Sequence, residues 1–366
     1  MSDREFIMQM QPWFGEEEKQ SLNDYMDGGG FITEFKQTEA FENSLAEYVG
    51  AKHCIVVNNG TISLSLAALA SGLQAGDEVI VPNYTMIATA NSLKMFGIEP
   101  IFVDVEVTTL CLDIDLVRAA ITDKTKAIMF MSANGRYPSV GINAFENLAA
   151  EHNLLLLEDA AQSLGSHYPD GRHIGMAGVA GSFSFSAPKI ISTGQGGCIV
   201  TNDDAVADKV RKLKDFGRAS GGNDYHESLG LNFKFTDIQA CIGIEQMKKL
   251  PWRVERKKAI YRRYQNQLAD VKEVTFFEQD LTHTTPWFID VLAESRDQLM
   301  AFLKTHQQIG TRVMYPPINK QPAYNVAGEH PVSNMIGQNG LWLPSAAQLS
   351  DESIDYICHA IKKFYG

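Results

Sequence analysis

Leu154-Leu155-Leu156-Leu157-Glu158-Asp159-Ala160-Ala161-Gln162 is a short apolar run that ends in carboxylates. Its length and uninterrupted apolarity predict a strand buried on both faces, as in a parallel sheet covered by helices. Outward from it lie Ser182-Phe183-Ser184-Phe185, then a lone Lys189, then the turn Gly194-Gln195-Gly196-Gly197. A carboxylate at the carboxyl end of one such strand, with a lysine and a glycine turn beyond the next, occupies the place where open α/β sheets bind their ligands.

A lysine and a carboxylate so placed suit pyridoxal phosphate chemistry. There an amine forms a Schiff base with the cofactor aldehyde, and an acid holds the pyridine nitrogen protonated so that the ring accepts electrons. Lys189 is the candidate amine and Asp159 the candidate acid. Taken singly, a lysine after a strand also reads as a solvated residue and an aspartate after an apolar run as a helix cap. Asn58-Asn59-Gly60-Thr61 lies between a predicted strand and a predicted helix, where amides and the Thr61 hydroxyl can hold a phosphate; the same residues also make an ordinary cap. Gly28-Gly29-Gly30 lacks the spacing of a nicotinamide site and reads as a flexible loop near the active site.

The composition fits a large soluble enzyme. The 366 residues are 45% hydrophobic, enough for a sizeable core, and the length suggests two domains. A net charge of -12 without a long basic block argues against a nucleic-acid surface. The five cysteines are spread and form no CxxC pair, which argues against a disulfide framework or a zinc site, Cys358-His359 being the nearest thing to a ligand pair. With neither an apolar run of membrane-spanning length nor a signal-like amino terminus, the expected location is the cytoplasm and no membrane partner is expected.

Helical and strand patterns alternate over the first two thirds of the chain. Helices are predicted at 39–49, 61–72, 87–96 and 114–120, and strands at 54–57, 78–81, 99–104, 127–131, 181–185 and 197–201. The expected fold is α/β: a large domain, residues 1–250, with a mixed, mostly parallel sheet, and a smaller α+β domain, residues 251–366. The second is expected to open with a helix at 254–268 after Pro251, to hold strands near Val274 and at 287–292, and to close with helices at 296–306 and 351–365.

Asn59-Gly60-Thr61, Gly76-Asp77-Glu78-Val79-Ile80-Val81-Pro82, Glu158-Asp159-Ala160-Ala161-Gln162, Ser182-Phe183-Ser184-Phe185 with Lys189, Thr193-Gly194-Gln195-Gly196-Gly197 and Leu231-Asn232-Phe233 together resemble the DegT/StrS sugar aminotransferases, over nearly the whole chain. The resemblance implies fold type I of the pyridoxal phosphate-dependent transferases and a homodimer with shared sites. It also implies ping-pong transfer of an amino group from L-glutamate, released as 2-oxoglutarate, to a nucleotide-linked keto sugar. By position, it implies Lys189 as the Schiff-base lysine and proton carrier, Asp159 at the pyridine nitrogen and Gln162 at the ring oxygen. Gly60, Thr61 and Ser184 would hold the phosphate, joined by Asn232 from the partner subunit.

The run Lys189-Ile190-Ile191-Ser192-Thr193-Gly194-Gln195-Gly196-Gly197 is similar to that of the family's C4 enzymes, which implies a 4-keto-6-deoxyhexose such as GDP-4-keto-6-deoxymannose. A C3 keto-sugar enzyme with another nucleotide, and a regulatory protein that binds the cofactor without turnover, are the alternatives. Dehydratases of the fold replace the lysine by histidine, which Lys189 argues against. The chain departs from the family pattern at Met86, where a thioether would cover the ring in place of an aromatic, at Gln195, usually Glu, and at Arg136, a cation in a loop near the substrate. Arg136 is expected at the pyrophosphate or glutamate carboxylate, Arg312 at a phosphate or carboxylate, and His283 near the sugar from the partner chain.

Overall fold

The computed structural model describes residues 5–219 and 224–366. Seven strands, β1 (His53–Val57), β2 (Glu78–Pro82), β3 (Glu99–Val103), β4 (Thr125–Met131), β5 (Leu155–Asp159), β6 (Ala180–Ser184) and β7 (Gly197–Thr201), form a sheet in the order β1-β7-β6-β5-β4-β2-β3. Only β7 runs against its neighbours. The apolar runs have the cause expected of them. Along each strand alternate residues enter opposite cores: Val56, Ile128, Leu156 and Phe183 on one face, Val57, Met129, Leu157 and Ala180 on the other.

The helices that cover this sheet and complete the chain are α1 (Glu16–Asp27), α2 (Lys36–Val49), α3 (Gly60–Ala70), α4 (Ala88–Lys94), α5 (Ile114–Ala120), α6 (Ile142–Glu151), α7 (Asp204–Lys214), α8 (Asp237–Gln267), α9 (Arg296–Gln307), α10 (Pro331–Asn339) and α11 (Asp351–Tyr365). A second, antiparallel sheet, β10-β11-β9-β8, is built from β8 (Val274–Phe276), β9 (Ile289–Ala293), β10 (Arg312–Val313) and β11 (Gly340–Leu343). It shares a core with α8, α9 and α11. The amino-terminal residues reach this sheet, with Ile7 bridging Ile309 and Gln9 donating to the Leu343 carbonyl.

One expected boundary falls elsewhere. Pro251 does not precede a new helix; it lies inside α8, which runs unbroken for 31 residues, so residue 250 is mid-helix. Proline removes one backbone donor there. The helix persists because Met247, Leu250, Arg253, Lys257, Ile260, Tyr261 and Tyr264 are all buried along it, and packing outweighs the local cost. Among the described residues no helix is long and apolar enough to cross a membrane, and the five cysteines are buried free thiols.

Candidate active site

Several chain segments converge where the carboxyl ends of the parallel strands meet the second sheet. They enclose a cleft of about 580 Å³ lined by Gly60, Thr61, Asp159, Gln162, Ser184, Lys189, Trp287, Arg312 and Tyr315, among others. Asp159 is the last residue of β5 and pairs with Ser182, so Ser184, the last residue of β6, lies two residues further along on the same face of the sheet. Strand alternation separates the neighbouring acids. Glu158 turns away and is caged by the Tyr168 hydroxyl and the amides of Gly175, Ala177 and Gly178, while Asp159 faces the cleft.

The buried Asp159 carboxylate accepts from the Thr89 hydroxyl at 2.7 Å and from the Ala161 amide at 3.1 Å. Burial pushes its proton affinity up, and the Thr89 bond, the Ala161 bond and Lys189 oppose that rise. Lys189 stands in the irregular segment between β6 and β7. Burial pulls its pKa down to about 8; Asp159 acts against this and Arg312 adds to it. The amine is thus within reach of the free-base state near neutral pH, as a Schiff-base lysine requires.

At the other end of the cleft α3 begins. Asn59 accepts from the Ile62 amide through its side chain, at 2.9 Å, and from the Ser63 amide through its carbonyl, at 3.1 Å. The Gly60 and Thr61 amides are left as the helix's first donors, the usual setting for a phosphate. A Cβ on Gly60 would stand 2.7 Å from the Ser184 Cβ, so only glycine lets the helix start approach β6 so closely. The Gln162 side-chain oxygen accepts from the Asn134 amide at 2.6 Å, which fixes this residue at the cleft wall.

These features fit pyridoxal phosphate: a cradle only glycine permits, a buried acid, a desolvated amine and open space between them. Gly60, Thr61 and Ser184 suit the phosphate, Asp159 the ring nitrogen and Lys189 the aldehyde. Met86 also lines the cleft, half exposed, with its sulfur accepting from the Ala88 amide at 3.0 Å.

Arg136 is corrected. It is buried, with a two-pronged ion pair to Asp290 at 2.7 and 2.8 Å and a bond to the Glu278 carbonyl at 2.8 Å. All three guanidinium nitrogens donate in joining the segment after β4 to β9, and Arg136 is absent from the cleft lining, so it is a structural cation and not a substrate ligand. Asn134 reinforces the same junction, pairing with both backbone groups of Phe288. Gly28-Gly29-Gly30 ends α1 and packs on Tyr25, away from the cleft lining of its own chain.

Asn232 is exposed and His283, whose ring pairs with Asp280 at 2.7 Å, is half-buried; both lie outside their own chain's cleft. Arg312 reaches the cleft with its guanidinium 5.4 Å from the Trp342 ring. Thr89, Trp287 and Tyr315 are site residues that the sequence reading did not anticipate. Thr89 carried a weak signal, its position one helical turn beyond Thr85 on a helix that starts at a strand's carboxyl end.

An α/β fold whose cleft gathers a buried acid, a desolvated lysine and a helix start that only glycine permits fits a pyridoxal phosphate-dependent transferase. Residues 12–362 match the DegT/DnrJ/EryC1/StrS aminotransferase family, and the chain belongs to it. It is 35% identical over 364 residues to the GDP-perosamine synthase of Escherichia coli O157:H7, covering 98% of this chain and 99% of that protein. It is also 33% identical over 337 residues to a Pseudomonas aeruginosa UDP-2-acetamido-2-deoxy-3-oxo-D-glucuronate aminotransferase, covering 91% and 92%. The fold is that of a Brucella abortus aminotransferase of the same family, with a TM-score of 0.89, 29% identity and 96% of each chain covered. The protein is a pyridoxal phosphate-dependent sugar aminotransferase.

Proposed function

We propose that this enzyme transfers the amino group of L-glutamate to C4 of a nucleotide-linked 4-keto-6-deoxy sugar, with GDP-4-keto-6-deoxymannose as the first candidate. The observation that carries the reading is the charge balance of the cleft. Its lining holds one acid, Asp159, against Lys189 and Arg312, in a chain whose net charge is -12. A positive cleft in an acidic protein selects anions, and both a diphosphate-linked sugar and a dicarboxylate donor are anions.

When bound, pyridoxal phosphate supplies the electron sink that makes the donor's Cα–H acidic. The residues divide the remaining work. Asp159, held by Thr89 at the end of β5, would pair with the ring nitrogen. Gly60, Thr61 and Ser184 anchor the phosphate, and Gln162, fixed through Asn134, orients the ring edge. Lys189 would move the proton from the donor carbon to the carbon of the cofactor's former aldehyde in the first half of the transfer, and from that carbon to the sugar carbon in the second. Arg312 offers a guanidinium to a carboxylate or phosphate of the substrates.

The run Lys189 to Gly197, which matches the C4 pattern except at Gln195, supports C4 chemistry. A second reading, amination at C3 of a differently linked sugar, is favoured by the likeness to the Pseudomonas 3-oxo sugar enzyme. Incubating the enzyme with glutamate and GDP-, dTDP- or UDP-linked 4-keto or 3-keto sugars, with mass analysis for ketone-to-amine conversion, separates them. Conversion of a 4-keto substrate supports the first reading, and reaction with 3-keto substrates alone rules it out.

A further inference from the structure

Lys189 meets, on the side of the second sheet, a residue that the chemistry above leaves without a role. Trp287 is buried just before β9. Its indole N–H donates to the Pro188 carbonyl at 2.8 Å, and the Lys189 ammonium lies over its ring at 4.4 Å from the centroid. The ring cannot easily turn. It is stacked on Phe288 at 3.8 Å, meets Trp342 edge-on at 5.7 Å, and its own carbonyl accepts from the buried Lys257 at 2.5 Å.

We propose that Trp287 is a positioning residue for amino transfer, its ring face holding the lysine in its protonated form and its N–H fixing the peptide that carries it. The proposal rests on reading Lys189 as the proton carrier. A lysine that leaves the cofactor, collects a proton from a carbon and gives it back needs a place to stand while charged. Asp159 is engaged elsewhere in that interval, and Arg312 repels a cation. Behind the segment stand Arg253, which donates to the Ile190 carbonyl at 2.7 Å, and Lys257, whose pKa burial pulls down to about 7; neither is an anion. Tyr315 offers a neutral phenol. Apart from Asp159, the aromatic face is the attraction that the structure provides for an ammonium here, and a desolvated cation over tryptophan is held more firmly than over any other ring.

The test uses full-length apoprotein and pyridoxal phosphate as the probe. Only the free amine captures the aldehyde, so the pH midpoint of the capture rate, read by absorbance, reports the proton affinity of Lys189; borohydride trapping and peptide mapping assign the label. Tetrafluorotryptophan placed at position 287 by nonsense suppression keeps the shape and the N–H while abolishing the attraction of the face. The midpoint is expected to fall by about one pH unit, roughly a tenfold loss of proton affinity. Trp287→Phe, which keeps a weaker face and no N–H, is expected to lower it less and to slow capture at high pH. An unchanged or raised midpoint in the fluorinated protein, with Lys189 still labelled, overturns the role of Trp287. A label that never maps to Lys189 overturns the reading of the lysine itself.

Discussion

The ionisation of Lys189 couples the chemistry to the stability of the fold. Its pKa falls from the ordinary 10.5 of an unfolded chain to about 8 because burial strips water from the ammonium. Below pH 8 both states are charged, and the folded one bears the full desolvation cost, on the order of 3 kcal/mol. Between pH 8 and 10.5 the folded chain has released its proton while the unfolded chain still binds one, so stability rises with pH across that window. Above it neither state is charged and the cost is gone. Lys189→Met is therefore expected to be inactive and yet more stable than the parent apoprotein at pH 7, by up to about 3 kcal/mol. The advantage should shrink as pH approaches 10.5. Urea denaturation of both proteins across that range checks this, and a difference that does not vary with pH contradicts it.

At the scale of elements, the site depends on how closely α3 approaches β6 and β7. Gly60 packs against Ser184, and a Cβ on Gly197 would meet the backbone of Asn59 and Gly60 at 2.7 Å. Gly60→Ala must push the helix start away from the strand end, an overpacking that costs about 1–3 kcal/mol. The amides and hydroxyls of the cradle then no longer converge, and the dissociation constant for pyridoxal phosphate is expected to rise about tenfold or more. Equilibrium dialysis measures it, and unaltered affinity would mean that the cradle does not hold the phosphate. These elements were legible in the sequence because β1 to β7 are covered on both faces, which leaves short apolar runs that end in turns and caps. That Asp159 falls in the cleft was legible for a related reason, since a strand end fixes where its side chain falls, whereas Lys189 enters from the irregular segment beyond β6. What the sequence hid depends on distance or on packing. Arg136 finds Asp290 154 residues away, and Trp287 reaches Pro188 across 99, with no local pattern to announce either. The continuity of α8 through Pro251 is decided by the core against which it packs.

At the scale of the whole molecule, the single chain leaves part of its chemistry pointing outward. Phe31 and Phe35, with rings 5.6 Å apart, and Leu229 and Leu231 are all exposed, and beside Leu231 stands Asn232, exposed and absent from its own chain's cleft. We propose that these exposed apolar residues form an association surface and that a symmetric pair of chains built on it presents each Asn232 to the other. If Asn232 completes the phosphate cradle of a partner, two differently damaged chains repair each other. Lys189→Met lacks the amine but keeps Asn232; Asn232→Ala keeps the amine but lacks the amide. In a mixed dimer one site combines the intact lysine of one chain with the intact asparagine of the other, and the second site has neither. Unfolded together and refolded in equal amounts, the two inactive proteins should give half mixed dimers, each with one working site of two. About a quarter of the parent activity is then expected at limiting pyridoxal phosphate, with a sedimenting mass twice the 40.5 kDa of one chain. If Asn232 serves its own chain, every site in the mixture carries a defect and activity stays at the level of the separate variants, whatever the mass.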